Sequence, residues 1–268
     1  MTRRNHLKRL QAFDELVQLK TKQIPRKNII DEINSKFEIS IGTLYDWYSE
    51  RIIPHGRKGK IKFNQELFYV LGALLGDGCA YKWRDTNNYL ILAGDENFTK
   101  KYAGIINKCT DKIAKAYISR TNNIWFVKVN NYELYTLFEK IRSDVAYLEQ
   151  LIKANNVGYL YMVEGFFDAE GCVKVIKEEC RKTPKICLDI TNTNFDFLEV
   201  IRKILDEKLN IISRYSIQKE NKEKNTKKAY HLRIYKKSYI KTFFEQMSTI
   251  KLYPEKAIYL QNWLNNGK

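Results

Sequence analysis

The chain lacks an apolar run long enough to cross a bilayer; the longest, Phe68 to Leu75, falls far short of the roughly 20 residues a membrane helix needs. No lipidation motif is present, and the opening MTRRNHLKRL is charged with no apolar block behind it, so it does not read as a secretory signal. Histidine is scarce, with His6, His55 and His231 far apart, and the five cysteines at 79, 109, 172, 180 and 187 include no C-x-x-C pair. Those spacings argue against a structural zinc site and a disulfide framework, and leave free, mostly packed thiols in a reducing interior. Glycine and proline number only 12 and 4, which excludes a low-complexity chain.

Acidic residues are also in the minority. Lys and Arg number 47 against 31 Asp and Glu, a formal charge of +16, too large for an ordinary solvated surface. The expected partner is a polyanion, and nucleic acid is favoured over an anionic membrane because no membrane signal accompanies the charge. A cytoplasmic, nucleoid-associated or organellar protein is expected, not a secreted one. With 44% hydrophobic residues, 268 residues can bury an ample core in one large domain or two smaller ones.

The first sixty or so residues read as one unit. Leu7, Leu10, Phe13 and Val17 recur at helical spacing; PRKNIIDEINSKF follows, with Pro25 suited to a helix start and Ile29, Ile30, Ile33 and Phe37 on one face. A second short helix is expected from Ser40 through IGTLYDWYSE, after a tight turn at Glu38 to Ser40. This arrangement resembles a helix-turn-helix DNA reader, in which Ser40, Thr43 and Asp46 would face bases or phosphates while Leu44 and Trp47 pack inward. A small helical bundle with no reading role is the alternative. HGRKGK is the natural linker.

Beyond the linker an order of elements repeats. A helix near 66 to 77 leads to strand-like CAYKW and NYLILAG, helix-like ENFTKKYAGIINKCTDKI, strand-like AYISR and IWFVKV, and a helix from about Tyr132. The order restarts near Gly158 with GYLYMVEGFFDAEG, CVKVIKEE, KICLDIT, FDFLEVIRKILDEKL, IISRYSIQK, AYHLRIYKK and a helix from Ser238, and PEKAIYLQNWL closes the chain. An α+β fold follows, of two pseudosymmetric αββαββα halves behind an all-α unit. The boundaries expected are 1–62, 63–157 and 158–268.

Each half opens on small residues four apart, then an acid, Gly and Cys: Gly72, Gly76, Asp77, Gly78, Cys79 and Gly165, Ala169, Glu170, Gly171, Cys172. Small residues at that spacing leave a smooth stripe over which another helix can pass closely. Gly78 and Gly171 stand where a left-handed cap would end the helix. Asp77 and Glu170 then sit at the negative end of the dipole, a placement that costs ~0.3–1 kcal/mol each. If the stripes pair, both acids and the last-turn carbonyls meet as hard oxygen donors for a divalent ion that could promote phosphodiester hydrolysis. The alternative is a pair of solvated helix ends.

VLGALLGDG and VEGFFDAEG resemble the paired signatures of the LAGLIDADG homing endonucleases, specifically the single-chain members, over about residues 66 to 265. The resemblance implies that the motif helices form the interface between halves and that each antiparallel sheet curves into a saddle over double-stranded DNA. It implies Mg²⁺, with Mn²⁺ as a substitute, held by Asp77 and Glu170 with the carbonyls of Gly76 and Ala169. It further implies a monomer that cuts one phosphodiester per strand to leave 3′ overhangs. A non-cleaving regulator or an intron-RNA splicing helper on the same scaffold stays open.

The family places its metal ligand directly before the final glycine, which selects Glu170 over Asp168. Asn192, in DITNTN, matches the family's amide at the end of the second strand, whereas the matching segment LILAGDEN has Gly94 there, leaving Asp95 and water to serve. A catalytic lysine is expected at Lys174, Lys82 or Lys256. Lys82, Arg84, Arg120, Lys128, Lys177, Lys185, Arg214 and Arg233 lie on or beside expected strands and are candidate DNA contacts. The tract QKENKEKNTKK is expected as a hairpin loop adding affinity and salt dependence.

Overall fold

Leu67 through Leu75 are buried at every position, so this stretch forms a helix covered on all sides. Helix α4 (Gln65–Asp77) starts where the Asn64 side chain accepts the Leu67 N–H at 3.1 Å, with Glu66 in the first turn. Its twin α8 (Gly158–Glu170) is buried from Met162 to Ala169. The computed structural model describes residues 3–22, 24–54, 59–83, 87–155, 158–176, 185–220, 227–251 and 254–265.

Around these helices stand two matching halves. The first runs β1 (Gly78–Trp83), β2 (Asn87–Gly94), α5 (Glu96–Cys109), β3 (Ala116–Ile118), β4 (Trp125–Asn130), α6 (Tyr132–Ser143) and α7 (Val145–Ala154). The second runs β5 (Gly171–Ile176), β6 (Lys185–Asn192), α9 (Phe195–Leu209), β7 (Arg214–Gln218), β8 (Ala229–Ile234), α10 (Lys237–Gln246) and α11 (Pro254–Asn265). Both sheets are antiparallel, ordered β1-β2-β4-β3 and β5-β6-β8-β7. One hydrophobic core runs through both halves and the two central helices. Among the described residues no helix is long and apolar enough to cross a membrane.

Strand alternation separates the two faces of each sheet. Leu90, Leu92, Val127 and Val129 turn inward in the first sheet, as do Ile186, Leu188, Ile190 and Leu232 in the second, which places their alternate neighbours on the outer faces.

The N-terminal segment forms α1 (Arg3–Lys20), α2 (Arg26–Phe37) and α3 (Ile41–Tyr48) around a separate core that includes Leu16, Ile29, Ile33, Leu44 and Trp47. Glu38 turns the chain in a left-handed conformation at φ 50°. The buried face of α1 is Leu10, Ala12, Leu16 and Leu19, whereas Val17 is 44% exposed, so the stripe drawn through Val17 is rotated from the observed one. Two further expectations need correction. Gly78 is extended, at φ −88° and ψ 151°, and Gly59 is the one positive-φ glycine among the described residues, so neither Gly78 nor Gly171 is a left-handed cap. Space decides instead, because a methyl on Gly78 would lie 2.5 Å from the Leu74 carbonyl oxygen. The segment after Tyr132 forms two helices, broken where Asp144 accepts the Tyr147 N–H at 2.9 Å and so caps α7.

Candidate active site and nucleic-acid interface

The two central helices touch backbone to backbone. A methyl on Gly72 would lie 2.2 Å from the Met162 carbonyl oxygen, and one on Gly165 2.1 Å from that of Tyr69. Only hydrogen fits at either point. At the next turn a methyl on Gly76 would stand 2.4 Å from Ala169 Cβ and 2.9 Å from Glu170 Cγ, so the contact brings the acid-bearing ends together.

Asp77 has an exposed side chain, yet the protein around the helix end still pushes its carboxyl above the ordinary value, with the Lys251 ammonium pulling the other way. Glu170 is pushed up to about 7, first by burial and then by the charge of Asp77, against the Asn192 hydrogen bond and Lys251. The two carboxylates therefore repel each other, and a cation between them would relieve that repulsion. Among the described residues no three His, Cys, Asp or Glu side chains converge, so an ion would rest on these two acids plus main-chain and substrate oxygens. That all-oxygen donor set fits Mg²⁺ or Mn²⁺.

Asn192 donates its amide to Glu170 Oε1 at 2.7 Å while its own oxygen accepts the Asn194 N–H at 2.7 Å, which fixes its orientation. Gly78 pairs with Leu92 and Gly171 with Ile190, so the register makes Gly94 the counterpart of Asn192. A methyl on Gly94 would lie 2.7 Å from Phe98 Cδ1; the ring of Phe98 occupies the corner. Asp95 does not fill the gap, because its Oδ1 accepts the Phe98 N–H at 2.9 Å and caps α5.

The lysines are distributed differently from expectation. Lys174 is bound to Asp189 on the outer face of the second sheet. Lys256 lies in α11, its side chain outside the described atoms. Lys82 alternates onto the same side of β1 as Ala80, away from the outer face. The ammonium that acts on both acids belongs to Lys251, a residue the sequence pattern did not single out, and it also stands 5.9 Å from the centre of the Phe98 ring.

The outer faces differ in chemistry. The first carries Tyr81, Tyr89, Ile91, Tyr117 and Phe126, with Lys128 stacked 3.8 Å over the Tyr89 ring. The second carries Lys174, Lys185, Arg214, His231 and Arg233 around the fully buried Asp189. Burial would raise the Asp189 carboxyl, but the Lys174 hydrogen bond and the charges of His231, Lys174 and Arg233 hold it below its ordinary value. His231 Nδ1 lies 3.1 Å from Asp189 Oδ1, and Arg233 Nε donates to Oδ2 at 3.3 Å. Beside this array a cleft of about 680 Å³ is lined by Lys185, Arg214, Arg233 and Lys236 with aromatic neighbours.

Arg120 is exposed in the β3–β4 turn. Ser40 is exposed and Thr43 half-buried, and the two are joined through their hydroxyls at 2.8 Å at the start of α3. Arg84, Lys177 and most of the expected hairpin tract, residues 221–226, lie outside the described residues.

Two halves of one strand order, joined by paired helices that each end in an acid, define a pseudosymmetric α+β protein with a single shared centre. Residues 158–248 match the family described as LAGLIDADG-like domain. A relative, the uncharacterized protein MJ0314 of Methanocaldococcus jannaschii, is 27% identical over 179 residues; these cover 65% of this chain and 65% of that relative's length. Among solved structures, I-DmoI in complex with DNA and Ca is 20% identical with a TM-score of 0.49, over 72% of this chain and 96% of that one. The I-LtrWI LAGLIDADG homing endonuclease bound to target DNA is 16% identical with a TM-score of 0.49, over 75% and 91%.

Proposed function

We propose that the chain is a divalent-metal-dependent endonuclease that acts as a monomer on an asymmetric double-stranded DNA site and hydrolyses one phosphodiester per strand, leaving 3′ overhangs. The observation that supports it most is the meeting of Asp77 and Glu170 at the touching ends of α4 and α8, with the Asn192 amide on Glu170 and the Lys251 charge acting on both carboxyls.

In this reading Asp77 and Glu170, with the carbonyls of Gly76 and Ala169, hold Mg²⁺ or Mn²⁺. When bound, the ion would supply Lewis-acid charge stabilisation for phosphodiester hydrolysis. Asn192 keeps Glu170 Oε1 oriented through its amide N–H. Lys251 draws both carboxyls toward ionisation and offers an N–H to a phosphate oxygen. The outer-face cations Lys128, Lys174, Lys185, Arg214 and Arg233 contact the duplex, with the Asp189 array keeping Lys174 and Arg233 in register. The three-helix N-terminal unit, residues 1–62, adds a second DNA contact through Ser40 and Thr43, ahead of halves at 63–157 and 158–268.

A second reading, a non-cleaving DNA regulator or intron-RNA splicing helper, draws on two observations. The first half lacks an amide at Gly94, and its outer face offers aromatic rings of the kind that stack on unpaired bases. Incubation with Mg²⁺ and a duplex made by joining the sequences that flank the gene separates the readings. Cleavage of both strands by the wild type, and binding without cleavage by Asp77→Asn and Glu170→Gln, supports the nuclease. Tight binding with intact DNA in both Mg²⁺ and Mn²⁺ overturns it.

A further inference from the structure

Helix α8 carries two acids that the proposed chemistry does not use. Glu164 and Asp168 are one turn apart on one helix face, at 9% and 0% exposure. Two like charges so placed need strong compensation, and Lys101 of α5 supplies it, with Nζ 2.7 Å from Glu164 Oε1 and 2.7 Å from Asp168 Oδ2. An ammonium has three N–H donors, and the third goes to the Ser248 carbonyl at 2.6 Å.

The acids in turn hold the same segment. The Ser248 N–H donates to Glu164 Oε2 at 3.2 Å; Asp168 Oδ1 accepts the Thr249 hydroxyl at 2.5 Å and the Ile250 N–H at 3.0 Å. Thr249 Oγ1 then accepts the Lys251 N–H at 3.1 Å, and Tyr69 of α4 donates its hydroxyl to Asp168 Oδ2 at 2.8 Å. Each residue from Ser248 to Lys251 is thus tied to the cluster directly or through Thr249.

We propose that Lys101, Glu164, Asp168 and Thr249 are positioning residues that set the Ser248–Lys251 turn so that the Lys251 ammonium stands by the Phe98 ring, 5.9 Å from its centre, the same ring that fills the Gly94 corner of the site; this rests on the hydrolytic reading of Asp77 and Glu170. Stability alone accounts poorly for the cluster, because well-packed apolar side chains often stabilise as well as a buried ion pair. The first half shows that alternative. The Gly72–Gly165 correspondence puts Leu71 and Leu75 where the second half has Glu164 and Asp168, and both leucines pack in the core. The polar version occurs only where an irregular turn must be held. Asp168 is two residues from Glu170 on one helix, so the metal-binding acid and the anchor of the lysine turn share a rigid frame.

Removing Lys101 would leave two buried carboxylates uncompensated, so the test uses Thr249, whose side chain links Asp168 to the Lys251 backbone. Thr249→Val is expected to lower single-turnover cleavage by ~10- to 100-fold with DNA affinity unchanged within twofold, and Thr249→Ser to restore it. Lys251→Ala should show a similar loss, and the Thr249→Val/Lys251→Ala double variant no multiplicative further loss. A readout free of catalysis is Mn²⁺ affinity by calorimetry. Displacing the ammonium should tighten it several-fold in Lys251→Ala and comparably in Thr249→Val. Wild-type rates and Mn²⁺ affinity in Thr249→Val, or losses that multiply in the double variant, overturn the proposal. A wild type that never cuts DNA overturns the hydrolytic reading instead, and the calorimetry still decides whether the turn is set by Thr249.

Discussion

Asn192 donates to Glu170 Oε1 at 2.7 Å, and the register gives it no partner of its kind in the first half, where Gly94 stands against the Phe98 ring. The two acids of the shared centre are therefore supported unequally. Asn192→Ala should slow cutting of one strand by ~10-fold more than the other, because an unanchored Glu170 loses orientation. Strand-resolved gels on end-labelled duplex would show nicked product accumulating. Gly94→Asn should not repair the first half, since its Cβ would fall 2.7 Å from Phe98 Cδ1, and a cost on the order of 1–3 kcal/mol is expected in denaturant melts.

Glu170 makes stability depend on pH in a definite direction. Its carboxyl titrates near 7 in the folded chain against an ordinary 4.5, so between those values the native state holds a proton that the unfolded chain has released. Stability of the metal-free protein must then fall as pH rises through that window, by on the order of 2 kcal/mol after allowance for solvent. Asp77, also raised by burial, adds in the same sense. Thermal melts from pH 5 to 8 should show the decline, and Glu170→Gln should flatten it. Because an ion needs the charged form, added Mg²⁺ should raise the Tm more at pH 8 than at pH 6.

Much of this architecture was legible from spacing. The duplicated Gly and acid pattern placed α4 and α8, and the repeat placed the eight strands around them. Asn192 was reachable only through the family resemblance, which implies an amide at the end of the second strand, and β6 does end on it. Lys251 was not, since nothing in STIKLYP marks a site; its place depends on Lys101 and Asp168, distant in sequence and brought together only by packing. The contrast between the outer faces needed the register, because a one-residue slip exchanges inner and outer side chains. The break between α6 and α7 did have a local signal, an Asp144 before an apolar run, which a single long helix overlooks.

Helix contact at Gly72 and Gly165 should be intolerant of any side chain. Gly165→Ala puts a methyl 2.1 Å from the Tyr69 carbonyl oxygen, and backbone on both sides leaves nothing flexible to yield. A loss of ~3 kcal/mol or more is expected, accompanied by loss of metal-dependent stabilisation because the acid ends separate. Gly104→Ala in α5 is the control. No heavy atom beyond its chain neighbours and own helix backbone lies within 4 Å of its would-be Cβ, so it should be neutral or slightly stabilising.

The cationic face of the second sheet should govern salt dependence. Lys185 and Arg214 line the same cleft, and neither has a carboxylate partner among the described ion pairs, so both are placed for phosphate. Each phosphate contact contributes about 0.9 to the slope of log affinity against log salt. The double variant Lys185→Ala/Arg214→Ala should therefore flatten that slope by roughly 2, with affinity lost evenly across DNA sequences. Arg233→Ala should behave differently, since it also frees one edge of Asp189 and so disturbs Lys174 and His231. Its loss should depend on base sequence in one half-site. Titrations at several salt concentrations against a randomised duplex would separate the two patterns, and an unchanged slope in the double variant would remove this face from the DNA contact.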